Sequence, residues 1–337
     1  MTEKVIVRSS TIDRHGDQTP LELMEKYVES VNGVLKMRYL ANHRRDIPPI
    51  GYFDNGEIIK KEDIYHAVVE PISFTNRKPV DWDANFIIED CNSSVSFIKR
   101  TEDNVQETRI SLDKNNFNSF DSFNETGLNL HNLYRGSVIL EANTRKAFLP
   151  DPQVVITLAK YYFIFYPLLK PILKRIGEKM ADEISDYIYD NSKEVAKKLI
   201  NNLVDTVKLI RKDTIPKNKT LLTIFEIPGD PYIELHIKSD DSSKIVKALT
   251  SNKLSKVHTQ IRDLQENIDI SEIYFVLNEK NKWQFSYLIS KTGQILGTKS
   301  AFEKRDKLVN RINLSPTKAF SVGAEGVKYE KHKREET

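Results

Sequence analysis

The sequence predicts an α+β protein of more than one domain, and three observations carry that reading. Short β-branched and aromatic runs broken by turn residues fill the chain to about Leu149. An apolar and then amphipathic helical stretch follows over residues 150–215, and alternating strand patterns around one long helix occupy residues 216–320. At 337 residues the chain is long enough for more than one core. Lys and Arg total 51 against 48 Asp and Glu, so a formal net charge of +3 does not announce a polyanion-binding protein. Apolar residues at 39% and charged residues at 29% exclude a polytopic membrane protein, a wholly disordered chain and a collagen-like one. The single cysteine, Cys91, excludes an intramolecular disulfide framework and a cysteine-based zinc site, and it suits a reducing compartment. Residues 1–30 contain Arg8, Asp13, Arg14 and Asp17 but no continuous apolar run, so no secretory signal is expected.

In the first zone, residues 1–149, strands are expected at Val5–Val7, Val34–Leu40, Tyr65–Glu70, Phe86–Glu89, Val95–Lys99 and Ser137–Leu140. One helix interrupts them: Thr19 can cap, Pro20 takes the first position, and Leu21, Met24, Tyr27, Val28 and Val31 recur at helical spacing. The stretch from Asp113 to Asn132 is rich in Asn, Ser and Asp and reads as loop.

The second zone, residues 150–215, opens on Pro150-Asp151-Pro152, a helix-start signal. From Val154 to Leu173, 15 of 20 residues are apolar. Twenty helical residues rise ~30 Å, the thickness of a bilayer's hydrocarbon core, which makes this a candidate transmembrane helix. A lysine at the centre of a lone span costs roughly 2.5–3.5 kcal/mol, so Lys160 and Lys170 must snorkel or face water. Lys160, Phe163, Ile164, Pro167 and Lys170 are then the candidate pore or membrane residues. The alternative is a buried bundle core in which Tyr161, Tyr162, Phe163 and Phe165 pack on other protein. Beyond it, Met180, Ile184, Ile188, Val195, Leu199, Leu203, Val207 and Ile210 form an apolar stripe with charged residues on the other faces.

The third zone, residues 216–320, pairs Leu221–Ile227 with Tyr232–Lys238 across Pro228-Gly229-Asp230-Pro231. A helix is expected from about Ser242 to Asn267, then a hairpin of Ile273–Leu277 and Trp283–Ile289 with Trp283, Phe285, Tyr287 and Ile289 on one face. It reads as a sensor or interaction domain, and residues 321–337 as a flexible tail.

Seven histidines show no metal-ligand spacing, and no phosphate-cradling glycine motif occurs, so no cofactor or metal is expected. Chemistry concentrates instead in Asp13-Arg14-His15-Gly16-Asp17 and, beyond the first helix, Asn42-His43-Arg44-Arg45-Asp46-Ile47-Pro48-Pro49-Ile50-Gly51. Over residues 5–75 these segments resemble phage prohead proteases of the herpesvirus-assemblin fold. That resemblance implies a prohead-protease-like β domain with His43 as the catalytic histidine. A serine peptidase also needs a hydroxyl within reach of the imidazole and donors for an oxyanion. Ser96, backed by Ser94, is the nearest counterpart of the nucleophile, and His66 or Glu70 could orient the ring. No glycine lies between Gly56 and Gly127 to free an oxyanion-binding amide, which points to a catalytically degenerate domain.

The order of β domain, apolar helix and α+β domain is similar to the membrane effector of the Hailong anti-phage defence system. This second resemblance implies a homo-oligomeric channel in the bacterial inner membrane with cytoplasmic domains. By the same resemblance it is gated by single-stranded DNA oligomers from a partner nucleotidyltransferase. The alternative is a cytoplasmic serine peptidase of the prohead maturation type.

Overall fold

The computed structural model describes residues 4–12, 18–90, 94–100, 108–143, 151–158 and 200–313. They form two compact units, one drawn from residues up to Lys99 together with those from Lys291 onward, the other from Arg100 to Ser290.

The first unit is built on a five-stranded sheet. Strands β1 (Val5–Ser9), β2 (Leu35–Tyr39), β3 (Gly51–Lys61), β4 (Ile64–Ser73) and β7 (Ser96–Phe97) lie in the order β1-β4-β3-β2-β7. All pairs are antiparallel except β2 with β7. Helix α1 (Leu21–Asn32) starts one residue later than the sequence suggests, with Pro20 as its cap, and buries Met24 and Val31 against Val5, Val7, Phe53, Ala67 and Val69. Strands β5 (Asn76–Pro79), β6 (Phe86–Asp90) and β15 (Ile295–Thr298) pair antiparallel. Helix α6 (Lys299–Asn313) closes the unit. Strand β3 was not legible in the sequence because Asp54-Asn55-Gly56 reads as a turn. Here it is a bulge: the β3/β4 register shifts between Asp54 and Glu57, and Asn55 takes φ 48°.

The second unit holds strands β8 (Arg109–Asp113), β9 (Ile139–Asn143), β10 (Gln153–Thr157), β11 (Leu222–Ile227), β12 (Tyr232–Lys238), β13 (Ile270–Leu277) and β14 (Trp283–Ser290) in the order β14-β13-β12-β11-β10-β8-β9. Each parallel pair, β8/β9, β10/β11 and β12/β13, has helical sequence between its strands. These are α2 (Phe120–Leu133), α3 (residues 200–213), and α4 (Ser242–Ala248) with α5 (Ser251–Gln265). The long helix expected from Ser242 thus breaks at Leu249-Thr250. The expected loop over Asp113–Asn132 is mostly α2, capped by the Ser119 hydroxyl, which accepts from the Ser122 amide at 3.1 Å.

The expected transmembrane helix over Val154–Leu173 is corrected. Its first residues are strand β10, entirely buried and hydrogen-bonded between β8 and β11. Val154-Val155-Ile156 is a β-branched run, and an apolar run of that length is shared by buried strands and helices; pairing on both sides decided it. Among the described residues no helix is long and apolar enough to cross a membrane, so the membrane-channel reading built on it falls. Lys160, Phe163, Ile164, Pro167 and Lys170 lie outside the described residues, as do the apolar stripe before residue 200, the Asp13–Asp17 motif and the tail.

Candidate functional site

His43 sits on a tight turn, Ala41–His43, between β2 and β3. Asn42 and His43 both take left-handed backbone angles, φ 50° and φ 55°, unusual for successive residues that are not glycine. Such a turn persists because its surroundings hold it. Ala41 and Ile47 pack with Ile312, Leu308 and Val309 of α6, and the Arg44 guanidinium grips the Asp46 carboxylate through both oxygens. Arg305 of α6 donates from Nη1 to the Pro49 carbonyl at 2.7 Å while bonding both oxygens of buried Glu89, at 2.6 and 2.7 Å. Arg77 bonds the same carboxylate at 2.6 Å and Asp306 at 2.7 Å. Burial opposes ionisation of Asp306, but the hydrogen bond from Arg77 and the Arg305 charge hold its carboxyl below the usual range. Gly51 ends the motif for a steric reason: a Cβ there would lie 1.8 Å from the Ile72 carbonyl oxygen.

Ser96 is exposed on β7, opposite Leu35 at the first residue of β2. Four strand steps of ~3.3 Å separate Leu35 from Tyr39, so Ser96 stands ~13 Å along the strand from the end where the His43 turn begins. A nucleophile and its base need contact of about 3 Å. The β7 segment is fixed in place by other means. The Val95 amide donates to the Thr292 carbonyl at 3.1 Å, and a Cβ on Gly293, at φ +86°, would come within 2.1 Å of the Val95 oxygen. Ser94 donates to the same Thr292 carbonyl at 3.4 Å. His66 is on β4, two strands from β2, opposite Ser9 and Ile59. Glu70 accepts from Asn55 Nδ2 at 2.7 Å and lines an open groove of about 520 Å³ with Lys4, Asn32, Asp54 and Gly56. The expected catalytic residues therefore occupy separate places around one sheet, His43 on the turn after β2, Ser96 on β7, and His66 and Glu70 on β4.

A buried polar constellation lies in the second unit. Residues paired across strands share a face, so register aligns Tyr287, Tyr274, Glu234, Glu226, Thr157 and Arg109 in one row. One step along, on the opposite face, Phe285, Phe275, Leu235, Phe225, Ile156 and Ile110 form an apolar row. A bulge in β14 between these rows turns Tyr287 away from Phe285, which corrects the expectation that the two share a face. Trp283, on the apolar side, donates from Nε1 to the Ala248 carbonyl at 3.0 Å.

Glu226 and Glu234 face each other directly across β11/β12, an arrangement that like charges disfavour. Each carboxylate is compensated. Thr157 Oγ1 donates to Glu226 at 2.6 Å. Glu234, with no exposed surface, accepts from the Tyr232 hydroxyl at 2.9 Å, meets His236 Nε2 at 2.7 Å and lies 3.3 Å from Arg100 Nε. Arg100 Nε also donates to the Tyr274 hydroxyl at 3.2 Å, and that hydroxyl donates to Glu272. Tyr274 stacks on Tyr287 with centroids 4.1 Å apart, and burial, with Tyr274 beside it, pushes the Tyr287 hydroxyl well above its usual pKa. Several of these bonds join residues two apart on one strand, and at low dielectric such charge-assisted bonds compensate the buried carboxylates. Glu234, His236, Tyr274 and Tyr287 have no accessible surface, so they cannot meet a substrate where they stand. The Ile233/Glu234 alternation was legible, but alternating polar residues ordinarily read as solvent-facing, and only the tyrosines on neighbouring strands signal otherwise.

Among the described residues no group of three or more His, Cys, Asp or Glu could hold a metal ion. No known protein family, no curated protein and no solved structure matches this chain. The chain's own geometry therefore carries the functional reading.

Burial, helped by Lys61 and Arg262 respectively, lowers the pKa of His66 and His258 from about 6.5. The unfolded chain then binds protons that the folded chain resists, so stability is fully present above pH ~6.5 and declines as pH falls through that value. The melting temperature is expected to drop between pH 7.5 and 5.5, and the double variant His66→Gln, His258→Gln to show a shallower drop. An equal drop in parent and variant would assign the pH dependence to other groups.

Proposed function

We propose that the chain is a binding protein without hydrolytic activity, in which a protease-like N-terminal sheet serves as scaffold and the second unit presents the partner surface. The observation that carries this reading is the β2/β7 register, which leaves Ser96 opposite Leu35 and away from the His43 turn. Two further features support it. The His43 turn is braced by Arg305 and α6, as a structural element is, and the polar cluster around Glu234 is enclosed. The reading keeps the expectation of a degenerate protease-like domain and leaves the membrane role aside.

The test is covalent labelling of the full chain with a fluorophosphonate probe, followed by intact-mass measurement. The expected result is no adduct. An adduct on Ser96 that disappears in His43→Ala would establish a working dyad and overturn the proposal.

A further inference from the structure

Strand β9 is the last in its sheet: β8 pairs with it on one side, and among the described residues no strand pairs with the other. An unpaired edge presents a row of backbone donors and acceptors and is a ready template for an added strand. Edges that avoid this are commonly blunted by lysine or proline, and Ile139-Leu140-Glu141-Ala142-Asn143 has neither. Among the described residues of the second unit the exposed large apolar side chains are Phe120 at 69%, Leu128 at 67%, Ile139 at 38% and Val246 at 38%. Three of these lie on β9 or on α2, the helix that leads into it. Ile139 begins the strand, and Phe120 and Leu128 lie on α2, where a Cβ on Gly127 would meet Leu140 Cδ1 at 3.7 Å.

We propose that this edge, with the outer face of α2, docks an extended basic segment of a partner protein as an added strand. This rests on reading the chain as a binding protein. Dimensions favour an extended occupant. Phe120 and Leu128 are eight helical residues apart, ~12 Å, which four steps of a strand, ~13 Å, match. Apolar residues at i and i+4 of the added strand would therefore reach both. Charge favours a basic one. Helix α2 carries exposed Asp121 and Glu125 and no lysine or arginine, and Glu141, partly met by Arg109 at 3.8 Å, lies on the edge itself. The same charges disfavour pairing of β9 with β9 of a second copy, which would bring acidic edges together.

The test uses the full chain and a fluorescent nine-residue peptide alternating lysine with valine, read by fluorescence polarisation. Saturable binding is expected, with backbone amides of Ile139–Asn143 gaining protection from hydrogen exchange. N-methylation of alternate peptide amides, which removes ladder hydrogen bonds but keeps charge, should weaken binding about tenfold or more, as should Phe120→Ser with Leu128→Ser. Both positions are exposed, so the fold should tolerate those changes. Equal binding of the methylated peptide or by the double variant would mean charge adsorption only and would overturn the proposal, as would absence of binding. Equal binding of a glutamate-for-lysine peptide would overturn the basic assignment. A fluorophosphonate adduct on Ser96 would sink the non-hydrolytic reading whatever the peptide does. An unlabelled Ser96 with no peptide binding would sink the docking proposal alone.

Discussion

Glu234→Ala is expected to destabilise the second unit by about 3–5 kcal/mol, the scale for removing one partner of a buried charged pair. The substitution leaves Arg100 facing an emptied position and takes the acceptor from both the Tyr232 hydroxyl and His236 Nε2, which are buried. Glu234→Gln should cost less, because the amide oxygen still accepts from Tyr232. Neutralising the opposite carboxylate, Glu226→Gln, should cost less again, because it also relieves the repulsion across β11/β12. Chemical denaturation followed by the emission of buried Trp283 reads these differences, with Trp82→Phe as background so that the second unit alone is seen. Equal losses for Glu234→Ala and Glu226→Gln would mean the row is not organised around Glu234.

In the first unit, Glu89→Ala should also cost about 3–5 kcal/mol, since it strands Arg305, itself 5% exposed, and removes one partner of Arg77. The consequence reaches the His43 turn, because the same guanidinium holds the Pro49 carbonyl. Replacing both partners, Glu89→Met with Arg305→Met, should recover much of the loss, because apolar side chains of similar size leave no buried charge unpaired. Trp82 emission in a Trp283→Phe background follows this unit. A double variant as unstable as Glu89→Ala would show that Arg305 acts chiefly through Pro49 rather than through Glu89.

How far the sequence could be read follows from where its forces are local. The α1 stripe of Met24 and Val31 and the β11/β12 hairpin were legible because their pairing and burial are encoded in a single short stretch of chain. Strand β3 was hidden by Asp54-Asn55-Gly56, since a bulge and a turn share the same residue preferences. Helix α2 was hidden by its Asn and Ser content, although Ser119 is a good cap. Strand β10 was misread because its identity depends on neighbours more than forty residues before it and more than sixty after it. The site divided in the same way. The His43 segment stood out by its motif, but the bracing of its turn by Arg305 and Glu89 has no local signature. The Glu234 row exists only once register brings the strands together.

The central claim is that His43 and Ser96 do not form a dyad, and the most direct measurement is disulfide trapping. In a Cys91→Ser background, the pair Leu35→Cys with Ser96→Cys joins neighbouring strands and should cross-link under mild oxidation, since cross-linked Cα atoms lie about 4.4–6.8 Å apart. The pair His43→Cys with Ser96→Cys should remain reduced under the same conditions. Cross-linking of the second pair as readily as the first would place the two residues within reach of each other and contradict the account.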